Sequence, residues 1–220
     1  MPHKKEIVKR KEKELKEIET IVSQIGTWSH EEVIGALRDF AREIVRELAE
    51  LREENITHEL TGLTNRRFSD FFLKREFRRI KRYGGRLSII LIDLDELKFI
   101  NDHYGYLEGD RTLIKLANII KSQIRGSDVA CHWGGDEFLI ICPGINAKQA
   151  EIIVERIKKM IKNTKIKDEK ELTISYGITE VRGEDRSIKE LFHRANEILR
   201  QEKRRKKQLL NNRLYFLFSL

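Results

Sequence analysis

The stretch RLSIILIDLD, residues 86–95, decides the architecture. Its apolar run, rich in β-branched residues, is the pattern of a central strand covered on both faces. Acids then appear at Asp93 and Asp95, where the strand should leave the core. A carboxylate there is costly unless something binds it, and ligands of open α/β sheets collect at such strand ends. The two acids lie two apart, so they share a side if the strand continues that far. A solvated strand end is the plain alternative.

A second acidic corner follows in HWGGDEFLII, residues 132–141. Gly134 and Gly135 permit positive φ and let a ligand approach the backbone without meeting a Cβ. Asp136 and Glu137 are then displayed beside a glycine platform, and the apolar run that follows returns to the core. Taken alone, such a hairpin is an ordinary turn. Paired with Asp93 on one sheet edge it becomes a candidate metal site, because carboxylate oxygens suit Mg²⁺ alongside phosphate oxygens and water.

Around these two strands, the turn-like LTGLTN leads into a predicted helix over 64–83, and Gly84-Gly85 precedes the strand at 87–95. A polar loop, a helix over 108–124, the hairpin, a helix over 147–163, a strand in ELTISYGITEV and a helix over 187–207 complete the pattern. Alternating helices and strands predict the α/β class, as an α+β sandwich with a mixed central sheet flanked by helices.

The N-terminal part reads differently. Val8, Leu15, Ile18, Val22 and Ile25 mark one helix, with Gly26 as its stop. Ser29 and Glu32 form a capping-box signature before a second helix, in which Ile34, Leu37, Ala41, Ile44, Leu48 and Leu51 make a heptad seam. Its partner is either the first helix, giving a hairpin, or the same helix of a second subunit. The expected domains are therefore a helical segment over 1–55, a globular domain over 56–208 and an apolar tail over 209–220. The tail, ending LYFLFSL, can pack on the domain, meet a partner or be poorly ordered.

The chain has 220 residues, 36% of them charged, with a net charge of +8. The basic runs VKRKEKELK and RQEKRRKK carry no interleaved aromatics, so a nucleic-acid platform is not indicated and solvated helical faces are the simpler reading. No apolar run reaches the roughly 18–20 residues that span a bilayer. Cys131 and Cys142, the only cysteines, lack metal-ligand spacing and flank the hairpin, which predicts buried, reduced thiols in a cytoplasmic protein.

Four blocks together resemble the GGDEF domain, the catalytic domain of diguanylate cyclases. They are LTGLTNRR (60–67), DLDELKFINDHYGYLEGD (93–110), RGSDVACHWGGDEF (125–138) and TISYGI (173–178), in the family's order and spacing. The resemblance implies condensation of two GTP into cyclic di-GMP with release of two pyrophosphates. Asp93, Asp136 and the Leu94 carbonyl would bind Mg²⁺, with Mn²⁺ as an alternative, and Glu137 would assist a second ion. Asn101 and Asp110 would contact guanine, near Tyr106. Lys98, Lys203 and Lys207 would neutralise triphosphate charge, while Gly134 and Gly135 give clearance. Arg125 and Asp128, five residues ahead of the glycine pair, match the family's RxxD motif for inhibition by bound product. One domain holds one GTP, so the reaction implies a homodimer, which the N-terminal helices would supply.

The chain also departs from the family pattern. His58 stands where an Asp is usual, which bears on a structural ion pair. His132 stands for a common Arg, Leu97 for a Phe and Tyr106 for a His. In EILRQEKRRKKQ, Lys207 takes the place of an arginine and Lys206 that of a glycine. Two rival readings remain: a non-catalytic GGDEF domain that senses GTP or cyclic di-GMP, and a scaffold working through its N-terminal helices.

Overall fold

The computed structural model describes residues 16, 29–35, 37–42, 56–162, 164 and 171–218, with side chains to 209. Contacts divide the chain into Met1–Glu53 and Glu54–Leu220. In the first unit, residues 30–35 and 37–42 are helical. The predicted capping box is present: Ser29 N donates to Glu32 Oε2 at 2.6 Å, and Glu32 N donates to Ser29 Oγ at 3.3 Å. Ile34 and Leu37 of the seam are exposed. The rest of the seam beyond Ala41, and the first predicted helix apart from residue 16, lie outside the described residues.

The second unit runs α1 (Arg66–Tyr83), β1 (Leu87–Leu94), α2 (Leu97–Tyr104), α3 (Tyr106–Gln123), β2 (Val129–Gly134), β3 (Glu137–Pro143), α4 (Ala147–Lys162), β4 (Ile174–Glu180) and α5 (Ile188–Phe218). The sheet order is β2-β3-β1-β4, with every neighbouring pair antiparallel. A parallel bridge, Thr64 to Cys131, adds the approach to α1 at the β2 edge.

Side-chain parity explains the apolar run of β1. Leu87, Ile89 and Leu91 enter one core with Leu73, Phe77 and Ile80 of α1 and Leu191, Ala195 and Leu199 of α5. Ile90, Ile92 and Leu94 enter the other with α2, α3 and α4. Both faces are covered, and Ser88, the one polar residue of β1 before Asp93, is buried with its Oγ donating to the Ile145 carbonyl at 2.9 Å. The sandwich of helices on a central sheet is the one expected from the sequence, but the sheet is antiparallel at every strand pair rather than mixed.

Three local expectations need correction. The predicted polar loop after β1 is largely helix: α2 occupies Leu97–Tyr104 and α3 already begins at Tyr106. Its residues looked loop-like because most are polar and only Ile100 is buried, in the core shared with α3 and α4. Strand β1 stops at Leu94, so Asp95 lies in the turn beyond it. Finally, α5 continues unbroken from Ile188 to Phe218, past the expected stop near 207, since no Gly or Pro interrupts it.

Candidate functional site

The site forms where β1 and the β2–β3 hairpin end side by side. Asp93 has the parity of Leu91, so its side chain faces α5. It is 3% exposed, and Lys203 Nζ donates to its Oδ2 at 2.5 Å. Its register partners are Glu137 on β3 and Ser175 on β4. Leu94 N donates to the Asp136 carbonyl at 2.9 Å, which docks the hairpin turn on the end of β1. Burial pushes the Asp93 carboxyl up to about 6; Asp136 and Asp95 add to the rise, while Lys203 opposes it. Asp93, Asp136, Glu137 and Lys203 are thus brought together.

The turn itself carries the expected backbone. Gly134 has φ 153° and Gly135 φ 57°, both in the region that favours glycine. A bulge at Trp133 shifts the register between His132 and Gly134 and bends the strand end. Trp133 stacks on Phe192 of α5, ring centroids 5.0 Å apart, with the Arg66 guanidinium 4.5 Å above it.

Asp95 serves a different purpose from Asp93. Thr173 Oγ1 and Ser175 Oγ donate to it at 2.8 and 2.6 Å, and Lys206 Nζ donates to it at 2.7 Å. Lys206 also donates to the Ile174 carbonyl at 2.5 Å. The sequence presents Lys206 only as the substitute for a glycine, with Lys207 as the expected phosphate countercharge, and gives no sign of a contact to Asp95. The structure turns Lys206 inward and leaves Lys207 exposed.

Two features set where α5 lies. A Cβ on Gly177 of β4 would sit 2.0 Å from the Ala195 carbonyl oxygen and 2.8 Å from Leu199 N. The missing side chain lets the helix backbone settle on the strand. Ala195, Leu199, Lys203 and Lys206 then share one helical face at spacings of four, four and three, so this close approach fixes the depth of both lysines. At the start of the helix, Arg194 pairs with Asp185, which is 1% exposed, and donates to the Glu180 carbonyl at 3.0 Å and Thr179 Oγ1 at 3.2 Å. The Arg194 hydrogen bond holds the Asp185 carboxyl below the usual range. Neither Gly177 nor the Arg194 clamp was singled out from the sequence; a glycine between the β-branched neighbours of TISYGITE was the available signal.

Asn101 and Asp110 lie on α2 and α3, which pack together. A Cβ on the buried Gly109 would fall 1.8 Å from Asn101 Oδ1, so the glycine before Asp110 makes the seat for the Asn101 side chain. Lys98 and Tyr106 are exposed, Tyr106 at 76%. Glu96, at φ 61°, is the one non-glycine with positive φ among the described residues, and it opens α2 without a side-chain cap. The first N–H groups of α2 are therefore not capped by it.

The Arg125–Asp128 pair forms its own turn. Arg125 N donates to Asp128 Oδ2 and Asp128 N to the Arg125 carbonyl, both at 3.0 Å. Asp128 is buried and Arg125 exposed. Cys131 and Cys142 are free and buried, as expected. Among the described residues, no helix is long and apolar enough to cross a membrane.

The chain matches the family described as "Diguanylate cyclase, GGDEF domain" over residues 55–209. It is 34% identical over 178 residues to diguanylate cyclase DosC of Escherichia coli K12, covering 77% of this chain and 38% of that protein. To diguanylate cyclase DgcP of Pseudomonas aeruginosa it is 30% identical over 176 residues, covering 79% and 26%. The chain thus spans well under half the length of these relatives. Among solved structures, the coiled coil and GGDEF domain of DgcB from Caulobacter crescentus, in complex with c-di-GMP, aligns with a TM-score of 0.69 at 25% identity, covering 78% of this chain and 94% of that one. Diguanylate cyclase SiaD of P. aeruginosa, in complex with its activator SiaC, aligns at 0.67 and 29% identity, covering 89% and 75%.

Proposed function

The chain belongs to the GGDEF domain family of diguanylate cyclases, and from that premise we propose that it condenses two GTP into cyclic di-GMP. The observation that carries the reading is the acidic corner, in which Asp136 sits close enough to the buried Asp93 to help raise its carboxyl, with the Asp136 carbonyl bound to Leu94 N at 2.9 Å. Two carboxylates held together in this way favour a cation beside them. Lys203 supplies one on Asp93, and a divalent ion beside Asp136 would supply the other.

The donors suit Mg²⁺ or Mn²⁺. Asp93, Asp136 and the Leu94 carbonyl offer hard oxygens, with Glu137 next to them. Among the described residues no three His, Cys, Asp or Glu side chains converge on a metal position, so remaining ligands would come from nucleotide phosphates and water, the usual arrangement for Mg²⁺. When bound, the ion would draw off charge that accumulates on the phosphoryl oxygens.

The chain's own residues supply positioning and electrostatics, which dominate phosphoryl transfer. Asn101, seated on Gly109, and Asp110 would hold guanine, with Tyr106 at the rim. The triphosphate would lie along the opening turn of α2, where a helix N-terminus favours an anion, with Lys98, Lys203 and Lys207 as countercharges. Gly134 and Gly135 would leave room for the nucleotide. The 3′-oxygen of one GTP bonds to the α-phosphorus of the other, the bond to pyrophosphate breaks, and Glu137 receives the hydroxyl proton. Two such steps close the ring and release two pyrophosphates.

One chain offers one such site, so the reaction needs two copies facing each other. Residues 1–55 would bring them together through the heptad seam and raise their effective concentration, with residues 56–208 as the catalytic domain and 209–220 as an appended tail. Product would bind at Arg125, whose guanidinium can stack on guanine and grip phosphate, and at Asp128. One oxygen of that carboxylate is already held by the turn, leaving the other for guanine N–H.

The test is stoichiometry. With GTP and Mg²⁺, two pyrophosphates should appear per dinucleotide, and ATP should give neither. Hydrolysis to GDP, or binding of GTP without turnover, would overturn the cyclase reading; the latter would point to a sensor.

A further inference from the structure

We propose that His132 is a positioning residue of the hairpin turn: as the neutral Nε2–H tautomer, it holds the Gly135 carbonyl and thereby fixes Asp136 relative to Asp93. The inference rests on the cyclase reading of that turn. His132 is 4% exposed, and its Nε2 lies 3.0 Å from the Gly135 carbonyl oxygen. A carbonyl only accepts, so Nε2 must carry the proton. Nδ1 is buried with no hydrogen-bond partner among the described residues. A bare lone pair there costs less than a second N–H bearing charge, which would also need an acceptor.

The ring is held in place. Phe138 stacks on it with centroids 4.9 Å apart at 15°, and His58 packs against it at 4.0 Å and 41°. Burial lowers the proton affinity of His58, so a charged imidazole beside His132 is disfavoured as well. His58 and His132 are two of the positions at which this chain departs from the family pattern, and the two departures touch.

Peptide geometry carries the effect to the acid. The Gly135–Asp136 peptide is planar, and in the trans form its C=O and N–H point in opposite directions. With the carbonyl turned towards the buried imidazole, the Asp136 N–H points away from it. On the other side of the same residue, the Asp136 carbonyl accepts from Leu94 N at 2.9 Å. Asp136 is thus pinned by the peptide before it and by its own carbonyl, one pin from His132 and one from the residue next to Asp93. Losing the first leaves the Leu94 contact and two successive glycines, at φ 153° and 57°, to set the turn, and glycine is the residue least able to do so.

The test uses the full chain. In ¹⁵N-histidine-labelled protein, the His132 signals, identified by their loss in His132→Gln, should show protonated Nε2, bare Nδ1 and an Hε2 protected from solvent exchange. An Nδ1–H tautomer, an imidazolium, or a freely exchanging Hε2 would overturn the proposal whether or not the protein makes cyclic di-GMP. In parallel, His132→Gln, which keeps an N–H donor, should retain activity to within about threefold, while His132→Leu should lose about tenfold in kcat, the order of one neutral hydrogen bond, with GTP still bound. Equal activities in wild type and both variants would overturn the positioning role and leave the cyclase assignment standing. Equal losses in Gln and Leu would overturn it too, since the donor would then not matter.

Discussion

Lys203 Nζ sits 2.5 Å from Asp93 Oδ2, joining the last helix to the end of the central strand. The contact lowers the proton affinity of a carboxyl that burial otherwise raises. Lys203→Met should therefore move the acid limb of kcat/KM for GTP to higher pH, by roughly one unit, as well as lowering its plateau. A pH profile of wild type and variant checks this; an unmoved acid limb would separate Lys203 from Asp93 function.

Asp93 itself predicts a conflict between stability and activity. Its folded-state value, about 6, lies above the ordinary 3.8, so the native chain binds this proton more tightly than the unfolded chain. The resulting stabilisation is present below the ordinary value and is lost as pH rises through about 6. Asp93→Asn, which cannot ionise, should stabilise the metal-free protein at pH 8 by about 1–3 kcal/mol and by much less at pH 5, while abolishing product. Thermal melts at the two pH values read the first part, and Mg²⁺ with GTP should raise the wild-type melting temperature more than that of the variant.

Two glycine-to-alanine changes should give opposite results. At Gly177 the new Cβ would meet helix backbone at 2.0 Å, so Gly177→Ala should cost more than about 3 kcal/mol by forcing α5 off the sheet. At Gly109 it would meet the end of a side chain at 1.8 Å, and mid-helix alanine is favoured by up to about 1 kcal/mol. Gly109→Ala should melt near the wild-type temperature yet raise KM for GTP about tenfold or more by displacing Asn101. Melting curves and initial rates on both variants decide it.

Breaking the Arg194–Asp185 pair should loosen the start of α5. Arg194→Ala leaves a buried carboxylate unpaired, which typically costs about 3–5 kcal/mol. Because the pair holds the Asp185 carboxyl low, its contribution is present above the ordinary carboxylate value and is lost as pH falls through the depressed one. The stability gap between wild type and Arg194→Ala should accordingly be wide at pH 7 and shrink in acid, as read by denaturant melts.

If product binds at the Arg125 turn, Arg125→Ala should keep the initial rate and remove the slowing that follows accumulation of cyclic di-GMP. Progress curves with and without added product test this; unchanged inhibition would assign feedback elsewhere.

The sheet and the acidic corner were legible because they rest on local signals. The apolar run of β1, the glycines of the turn and the acids beside each strand end are all written in adjacent residues. The Ser29–Glu32 cap was legible for the same reason. What stayed hidden depends on residues distant in sequence. Lys206 differs from Lys207 only by which face of α5 meets β4, and that rotation is set by Gly177 against Ala195. Helix α2 was missed because a short helix buried through Ile100 alone leaves little apolar periodicity. His58 and His132 looked like unrelated departures, since nothing in a linear reading puts their rings 4.0 Å apart.

The most direct test of the account is mass spectrometry of the purified protein, stripped of bound nucleotide and incubated with GTP and Mg²⁺, beside Asp136→Ala. The account predicts cyclic di-GMP from the wild type and none from the variant. No product from stripped, dimeric wild type, or equal product from both, would contradict it.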